Sequence, residues 1–210
     1  MEAILHFDLE QLIRTVGYVG VFLMIFAESG LLIGVFLPGD SLLFTAGFLS
    51  SAGFFNIFVL ALGCFIAAVL GDNVGYSFGK RYGRRIFNKE DSFWFHKRNL
   101  EAAERFYEKH GGKAIVLARF TPIVRTFAPI VAGIGNMHYR TFFWYNLLGG
   151  LLWAVGLTVA GYFLGSLIPD VDRYLLPIVL LIIFLSLLPS AIHLVRELLI
   201  RRTTEKPLNK

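Results

Sequence analysis

The sequence predicts an all-α membrane protein made of an inverted repeat, each repeat a re-entrant hairpin plus a transmembrane helix, with an additional C-terminal transmembrane helix. Three observations lead to this fold class: an apolar composition, four charged residues in or beside apolar segments, and an internal similarity between the two halves. Hydrophobic residues make up 56% of the 210 residues and charged residues only 17%. This composition is typical of a membrane protein.

Three uninterrupted apolar segments are long enough to cross a bilayer. They are Phe54–Gly71, Thr141–Ile168 and Tyr174–Val195, and a crossing needs about 20 apolar residues. The last one, taken as residues 174–196, is the predicted additional C-terminal helix. The remaining length leaves little room for another domain, so we expect a single membrane domain over residues 1–210.

Two further apolar segments, Gly17–Ser50 and Ala114–Gly135, contain breaks. The residues expected to set the hairpin geometry are Pro38, Gly39, Pro122 and Pro129. Proline lacks a backbone N–H and disfavours helix before it. We therefore expect both segments to turn back within the membrane, the two prolines of the second segment limiting helix on either side of Arg125.

The first break carries two more expectations. Gly39 permits a left-handed turn, and Asp40 is placed to cap the returning helix by accepting from its free backbone N–H groups. However, the first arm, Gly17–Phe36, is also just long enough to cross outright. The sequence leaves the side of the N-terminus open.

The two halves resemble each other at an offset of 86 residues. Ten identities fall without a gap between residues 31 and 79 and their counterparts, among them Gly75-Tyr76 with Gly161-Tyr162. A re-entrant segment followed by one crossing would reverse the orientation of the second copy, as in transporters with inverted repeats. We take residues 17–79 and 114–168 as the repeats; shared apolar composition is the alternative explanation.

Basic residues are concentrated between and after the repeats. Residues 80–113 hold ten of the twenty basic residues, and the end of the chain holds five more. By the positive-inside rule, the linker 80–113 and the tail 197–210 are cytoplasmic. Acids interrupt the linker and apolar spans flank it, so no nucleic-acid partner is expected. Residues 1–14 read as an N-terminal amphipathic segment.

Four charged residues, Glu28, Asp40, Arg119 and Arg125, lie in or beside the broken segments. Each costs about 2.5–3.5 kcal/mol at the bilayer centre, so such charges indicate a functional site. Arginine binds phosphate oxygens bidentately, which makes the two arginines candidates for binding a lipid phosphate. Desolvation favours the neutral form of a carboxyl group, which makes the two acids candidates for proton coupling. A purely structural ion pairing is the alternative.

Asp72 is a weaker candidate, because it is also placed to end its helix at the interface. Cys64 is the only cysteine and lies in an apolar span, so no metal site and no cofactor are predicted. No histidine lies near the hairpin motifs to activate a serine nucleophile, so we do not expect an enzyme.

Several motifs of the chain match one family. They are Glu28-Ser29-Gly30, Phe36-Leu37-Pro38-Gly39-Asp40-Ser41-Leu42-Leu43, Gly71-Asp72 with Gly75-Tyr76 and Gly79, Ala118-Arg119-Phe120, Pro122, Arg125-Thr126, Pro129 and Ala132-Gly133. In these motifs the chain resembles the DedA family, the bacterial branch of the SNARE-associated or VTT-domain membrane proteins. The resemblance implies an inner-membrane protein with two opposed re-entrant hairpins.

The resemblance also carries functional expectations. Bacterial members are implicated in returning undecaprenyl phosphate to the cytoplasmic leaflet and in tolerance linked to the proton-motive force. Eukaryotic relatives are phospholipid scramblases, and the residues matching Glu28, Asp40, Arg119 and Arg125 are needed in characterised relatives. We therefore expect a flippase for a lipid phosphate whose partners are membrane lipids, undecaprenyl phosphate and protons. The open alternatives are a scramblase, a proton-dependent drug or ion transporter, and a non-transporting assembly factor; homo-oligomerisation is also left open.

Overall fold

The computed structural model describes residues 9–31, 38–86, 107 and 109–168, and the regular structure in these ranges is entirely helical. The helices are α1 (Leu9–Gly30), α2 (Gly39–Ser51), α3 (Ile57–Ile86), α4 (Lys113–Ala118), α5 (Pro122–Ile134), α6 (Tyr139–Gly150) and α7 (Gly156–Leu167). A single π-helical turn, Leu151–Val155, joins α6 to α7. The all-α prediction is confirmed for the described residues.

Within the part of the chain that the structure describes, two helical stretches are long and apolar enough to cross a membrane. They are Ile57–Gly83, of 27 residues, and Tyr139–Leu167, of 29 residues. At about 1.5 Å per residue, either stretch exceeds the ~30 Å of a hydrocarbon core. These stretches contain most of two of the three predicted spans. The predicted span 174–196, the segment 1–8 and most of the linker 80–113 lie outside the described residues.

Both apolar segments with predicted breaks are broken in the structure. Helix α1 ends at Gly30 and α2 begins at Gly39, while α4 ends at Ala118 and α5 begins at Pro122. Pro122 occupies the start of its helix, where the missing N–H costs nothing. Each half of the described chain therefore has the same order: helix, break, 13-residue helix, short turn, long helix.

Three details differ from the expectations for these breaks. Pro129 does not limit a helix, because α5 runs through it to Ile134; one proline removes one backbone hydrogen bond, and neighbouring elements compensate. Gly39 is helical, and the glycines with positive φ in the described chain are Gly53 and Gly111. Asp40 does not cap α2, which begins after Pro38 without a side-chain cap.

The short helix of each half packs on a long helix of the other half, an arrangement called here the exchange of the short helices. α1 packs on α3 and α4 packs on α6, whereas α2 packs on α7 of the other half and α5 packs on α3. Glycines bring the backbones together at both exchanged contacts, so that an added Cβ would collide with the facing backbone. The pairs are Gly47 with Thr158 and Gly161 with Phe44 between α2 and α7, and Gly79 with Ile130 and Gly133 with Tyr76 between α3 and α5.

These contacts relate the halves by two offsets. Phe44 and Gly47 precede Ile130 and Gly133 by the 86 residues seen in the sequence, but the facing Tyr76 and Gly79 precede Thr158 and Gly161 by 82. The difference is about one helical turn. The offset of 86 residues therefore relates the short helices α2 and α5. The facing residues of the long helices are related by an offset that is one helical turn shorter.

Candidate functional site

The two breaks and the exchanged helices bring five charged side chains to one place. Glu28 lies in the last turn of α1, Asp40 in the first turn of α2 and Asp72 in the middle of α3. Arg119 lies in the break before α5, and Arg125 lies in the first turn of α5. All four predicted site residues and the weaker candidate Asp72 thus belong to one centre.

Arg125 is shared by the two acids of the first broken segment. Its Nη1 donates to Oδ1 of Asp40 at 2.5 Å, and its Nη2 donates to Oε1 of Glu28. Glu28 is fully buried and the Arg125 side chain is 8% exposed, but the Asp40 side chain is 47% exposed. Asp40 is therefore the acid through which this ion pair meets the surroundings.

Gly39 provides space for Glu28. A Cβ atom on Gly39 would overlap the Glu28 carboxyl group. Glycine is thus needed at this position for room and not for a left-handed backbone. The second carboxyl oxygen of Glu28, Oε2, is buried and has no hydrogen-bond partner among the described residues.

Arg119 forms a separate ion pair with Asp72. Its Nη2 donates to Oδ2 of Asp72 and, at 2.5 Å, to Oδ1 of Asn146. The amide of Asn146 is itself held, because its Nδ2 donates to the Val69 carbonyl at 3.1 Å. Asp72, Arg119 and Asn146 are all buried, so Asp72 does not end its helix at an interface.

Trp153 connects the two ion pairs. The Arg125 and Arg119 Cζ atoms lie 4.8 Å and 5.8 Å from the centre of its ring, within cation–π range. Its Nε1 donates to Oδ1 of Asp40 at 2.7 Å. Trp153 is 2% exposed and lies within the π-helical turn, a feature that often marks functional sites in helices. The break at Pro122 thus brings together two arginines that a straight helix would not align.

Sequence reasoning missed Trp153 and Asn146. Both lie inside a predicted span, and both carry a signal that was available. Tryptophan favours the membrane interface, so one within a span suggests a specific contact. A mid-span asparagine must find hydrogen-bond partners in the bundle.

The centre has an excess of acid. Three carboxyl groups face two guanidinium groups, so the five side chains carry a net charge of −1 when all are ionised. Buried charges are stable only when paired and hydrogen-bonded. Uptake of one proton would balance the charges. The centre therefore combines two guanidinium groups with an excess of carboxyl groups.

Tyr107, from the predicted linker, is hydrogen-bonded to α5. Its hydroxyl donates to the carbonyl of Ala128 at 2.8 Å, one helical turn after Arg125. Burial, together with the charge of Asp72, raises the pKa of Tyr107. The hydroxyl therefore remains a donor throughout the physiological pH range.

The fold and the centre define a helical membrane protein with a buried ionic site, and comparison with known proteins identifies its family. The VTT domain matches residues 37–163. Protein DedA of Escherichia coli K12 is 46% identical over 204 residues, which cover 94% of this chain and 93% of that protein. The chain belongs to the DedA family of VTT-domain membrane proteins.

Other relatives agree with this assignment. An uncharacterized membrane protein of Mycobacterium leprae is 47% identical over 80% of this chain and 75% of its own length. Inner membrane protein YqjA of Escherichia coli K12 is 36% identical over 80% of both chains. No solved structure matches the chain.

Proposed function

We propose that the protein is a lipid flippase that carries a lipid phosphate, undecaprenyl phosphate, across the bacterial inner membrane together with protons. Arg119 and Arg125 bind the phosphate, and Glu28 and Asp40 couple its binding to protonation. No covalent bond is made or broken, so the protein is not an enzyme. The observation that carries the proposal is the sharing of Arg125 by two carboxyl groups in a centre with an excess of acid.

The charges suggest how protons and phosphate are coupled. With every acid ionised, the centre carries a net charge of −1 and repels an anion. Protonation of Glu28 and Asp40 makes the net charge +1 and frees the Arg125 guanidinium. A phosphate monoester with a charge between −1 and −2 near neutral pH then binds favourably. Deprotonation on the other side of the membrane restores the acid–arginine pairs and expels the phosphate.

The architecture proposed for this cycle is a pair of re-entrant hairpins that enter from opposite leaflets. The exchange of α2 and α5 between the long helices supports it, because the same contacts recur in both halves. Opposed repeats place a site where both leaflets can reach it in turn. The linker 80–113 and the tail 197–210 would then be cytoplasmic. The relative YqjA is named an inner membrane protein, which supports the inner membrane as the location.

Flux in purified vesicles tests the function. Undecaprenyl phosphate is placed in liposomes containing the protein, and the fraction exposed outside is measured with an added membrane-impermeant phosphatase. Wild-type protein should increase the exposure rate at least tenfold, and Arg125→Ala should abolish the increase. Arg140→Ala, at an exposed position near the start of α6, is the matched control and should behave as wild type.

The same experiment excludes other classes. Phosphate released before the phosphatase is added would indicate an enzyme. Equal movement of phosphatidylcholine would indicate a general scramblase. Absence of movement with folded protein would contradict the flippase and favour drug or ion transport or an assembly role.

A further inference from the structure

One oxygen atom of the centre accepts from two donors on different helices. Oδ1 of Asp40 accepts from Nη1 of Arg125 at 2.5 Å and from Nε1 of Trp153 at 2.7 Å. The donors belong to α5 and to the π-helical turn, and Asp40 reaches them from α2. The two donors therefore converge on a position that the protein fills with an anion of its own.

This position differs from the rest of the centre in being accessible. Trp153 and Arg125 are nearly completely buried, but the Asp40 side chain is 47% exposed. A ligand can thus approach the two donors by the path that Asp40 occupies. Glu28, by contrast, is fully buried and accepts from Nη2 of Arg125, whereas the indole N–H donates to Asp40.

We propose that Trp153 Nε1 and Arg125 Nη1 form the binding site for one oxygen of a phosphate monoester, and that Asp40 is an internal competitor for that site. The inference rests on the proposed phosphate chemistry of the centre and adds Trp153 to the residues that contact the substrate. A phosphate oxygen takes the place of Asp40 Oδ1 and accepts the same two hydrogen bonds. The indole ring continues to face both guanidinium groups and holds them towards the phosphate.

The competition gives an unusual expectation for Asp40. Its removal should strengthen phosphate binding, although it removes a residue needed for coupling. Hydrogen bonds to charged groups contribute enough that losing the competitor should tighten binding about tenfold. Replacement of Trp153 by Phe keeps an aromatic face but removes the N–H, so it should weaken binding about tenfold.

Indole N–H signals provide a direct test in detergent, where no transport is needed. The protein has three tryptophans, Trp94, Trp144 and Trp153, so ¹⁵N-tryptophan labelling gives three indole signals that single Trp→Phe variants assign. Dodecyl phosphate in dodecyl maltoside micelles is the probe, and dodecanol is its uncharged control. Inorganic phosphate is added in a separate arm to distinguish a lipid headgroup from free phosphate as the source.

Dodecyl phosphate should move the Trp153 signal, and dodecanol should not. In the ligand-free protein, Asp40→Ala should move this signal because the indole loses its acceptor. Glu28→Gln removes the same charge without touching the indole and should leave the signal in place. Trp144→Phe, at an exposed position on α6, should bind the probe as wild type does. A shift with inorganic phosphate alone would support the two-donor site and assign free phosphate as its ligand.

Three results would overturn the inference. They are a Trp153 signal that does not respond to dodecyl phosphate, unchanged probe affinity in Trp153→Phe, and unchanged or weaker affinity in Asp40→Ala. A merely structural Trp153 would lower the melting temperature of Trp153→Phe and leave the affinity of the folded protein unchanged. Because binding is measured without flux, a failed flippase assay and a failed two-donor site are distinguishable.

Discussion

The Arg119 guanidinium pairs with Asp72 of α3 and not with the acids of the first broken segment. Arg119 and Arg125 are therefore held in two different ion pairs, and both guanidinium groups contact the ring of Trp153. Because the ion pairs are separate, we expect the loss of each charge to have a different effect.

The Arg119–Asp72 pair should show strong energetic coupling. Either Arg119→Ala or Asp72→Ala alone leaves a buried charge unpaired, and we expect each to destabilise the protein by about 3–5 kcal/mol. The double variant should be less destabilised than the sum of the single ones, because it leaves no orphaned charge. Unfolding of purified protein in detergent measures this cycle. Additive effects would show that the pair is not coupled.

Glu28→Gln should weaken the pH dependence of transport before it lowers the amount of folded protein. Glutamine has the shape of a protonated glutamic acid, so Arg125 keeps only Asp40 as an ionised partner. Wild-type flux should increase as the pH on the phosphate-loading side falls, since the carboxyl groups then release Arg125. The variant's profile should be shallower than that of the wild type, because only Asp40 still titrates against Arg125. A variant with the wild-type profile would place proton coupling elsewhere.

Gly39→Ala should disrupt the centre without changing any charge. The added Cβ overlaps the Glu28 carboxyl, and overpacking of this kind costs about 1–3 kcal/mol. We expect a lower melting temperature and loss of flux. Gly20→Ala is the matched control, because this helical glycine of α1 has open space around it and the change should be neutral or stabilising by about 0.5–1 kcal/mol. Equal behaviour of the two variants would contradict the close packing of Gly39 on Glu28.

The exchanged helix contacts should be equally sensitive in both halves. An alanine at Gly161 meets the backbone of Phe44, and one at Gly79 meets the backbone of Ile130. We expect both variants to be destabilised by more than about 1 kcal/mol, because a helix must move when the obstacle is backbone. Gly156→Ala, in open space at the start of α7, should be unaffected. Sensitivity in one half only would argue against equivalent roles for the two halves.

The sequence predicted much of the fold because its signals are local. Apolar length identifies the long helices, and the proline at 122 identifies the start of α5. The prediction that Pro129 limits a helix was wrong, because the packing of α5 on α3 outweighs one lost hydrogen bond. The prediction of a turn at Gly39 was also wrong, because the small size of this glycine is needed for its close contact with Glu28. A contact with a residue eleven positions earlier leaves no local pattern in the sequence.

The sequence identified the charged residues of the centre, but it did not predict which of them form ion pairs with each other. The free-energy cost of placing a charge in a membrane identifies candidate residues without knowledge of their partners. These residues are Glu28, Asp40, Arg119 and Arg125. Their partners depend on which helices exchange between the halves, which only the three-dimensional packing determines. For the same reason the sequence could not show that Trp153 contacts both arginines and Asp40.

The central claim is that proton uptake by the acids allows the arginines to bind and move a lipid phosphate. Its most direct test is the rate of undecaprenyl phosphate movement in liposomes of purified protein, with and without a pH gradient, beside Arg125→Ala. We expect movement that depends on the gradient, reverses when the gradient is reversed and is absent in the variant. Movement at the same rate with and without the gradient, or undiminished movement in Arg125→Ala, would contradict it.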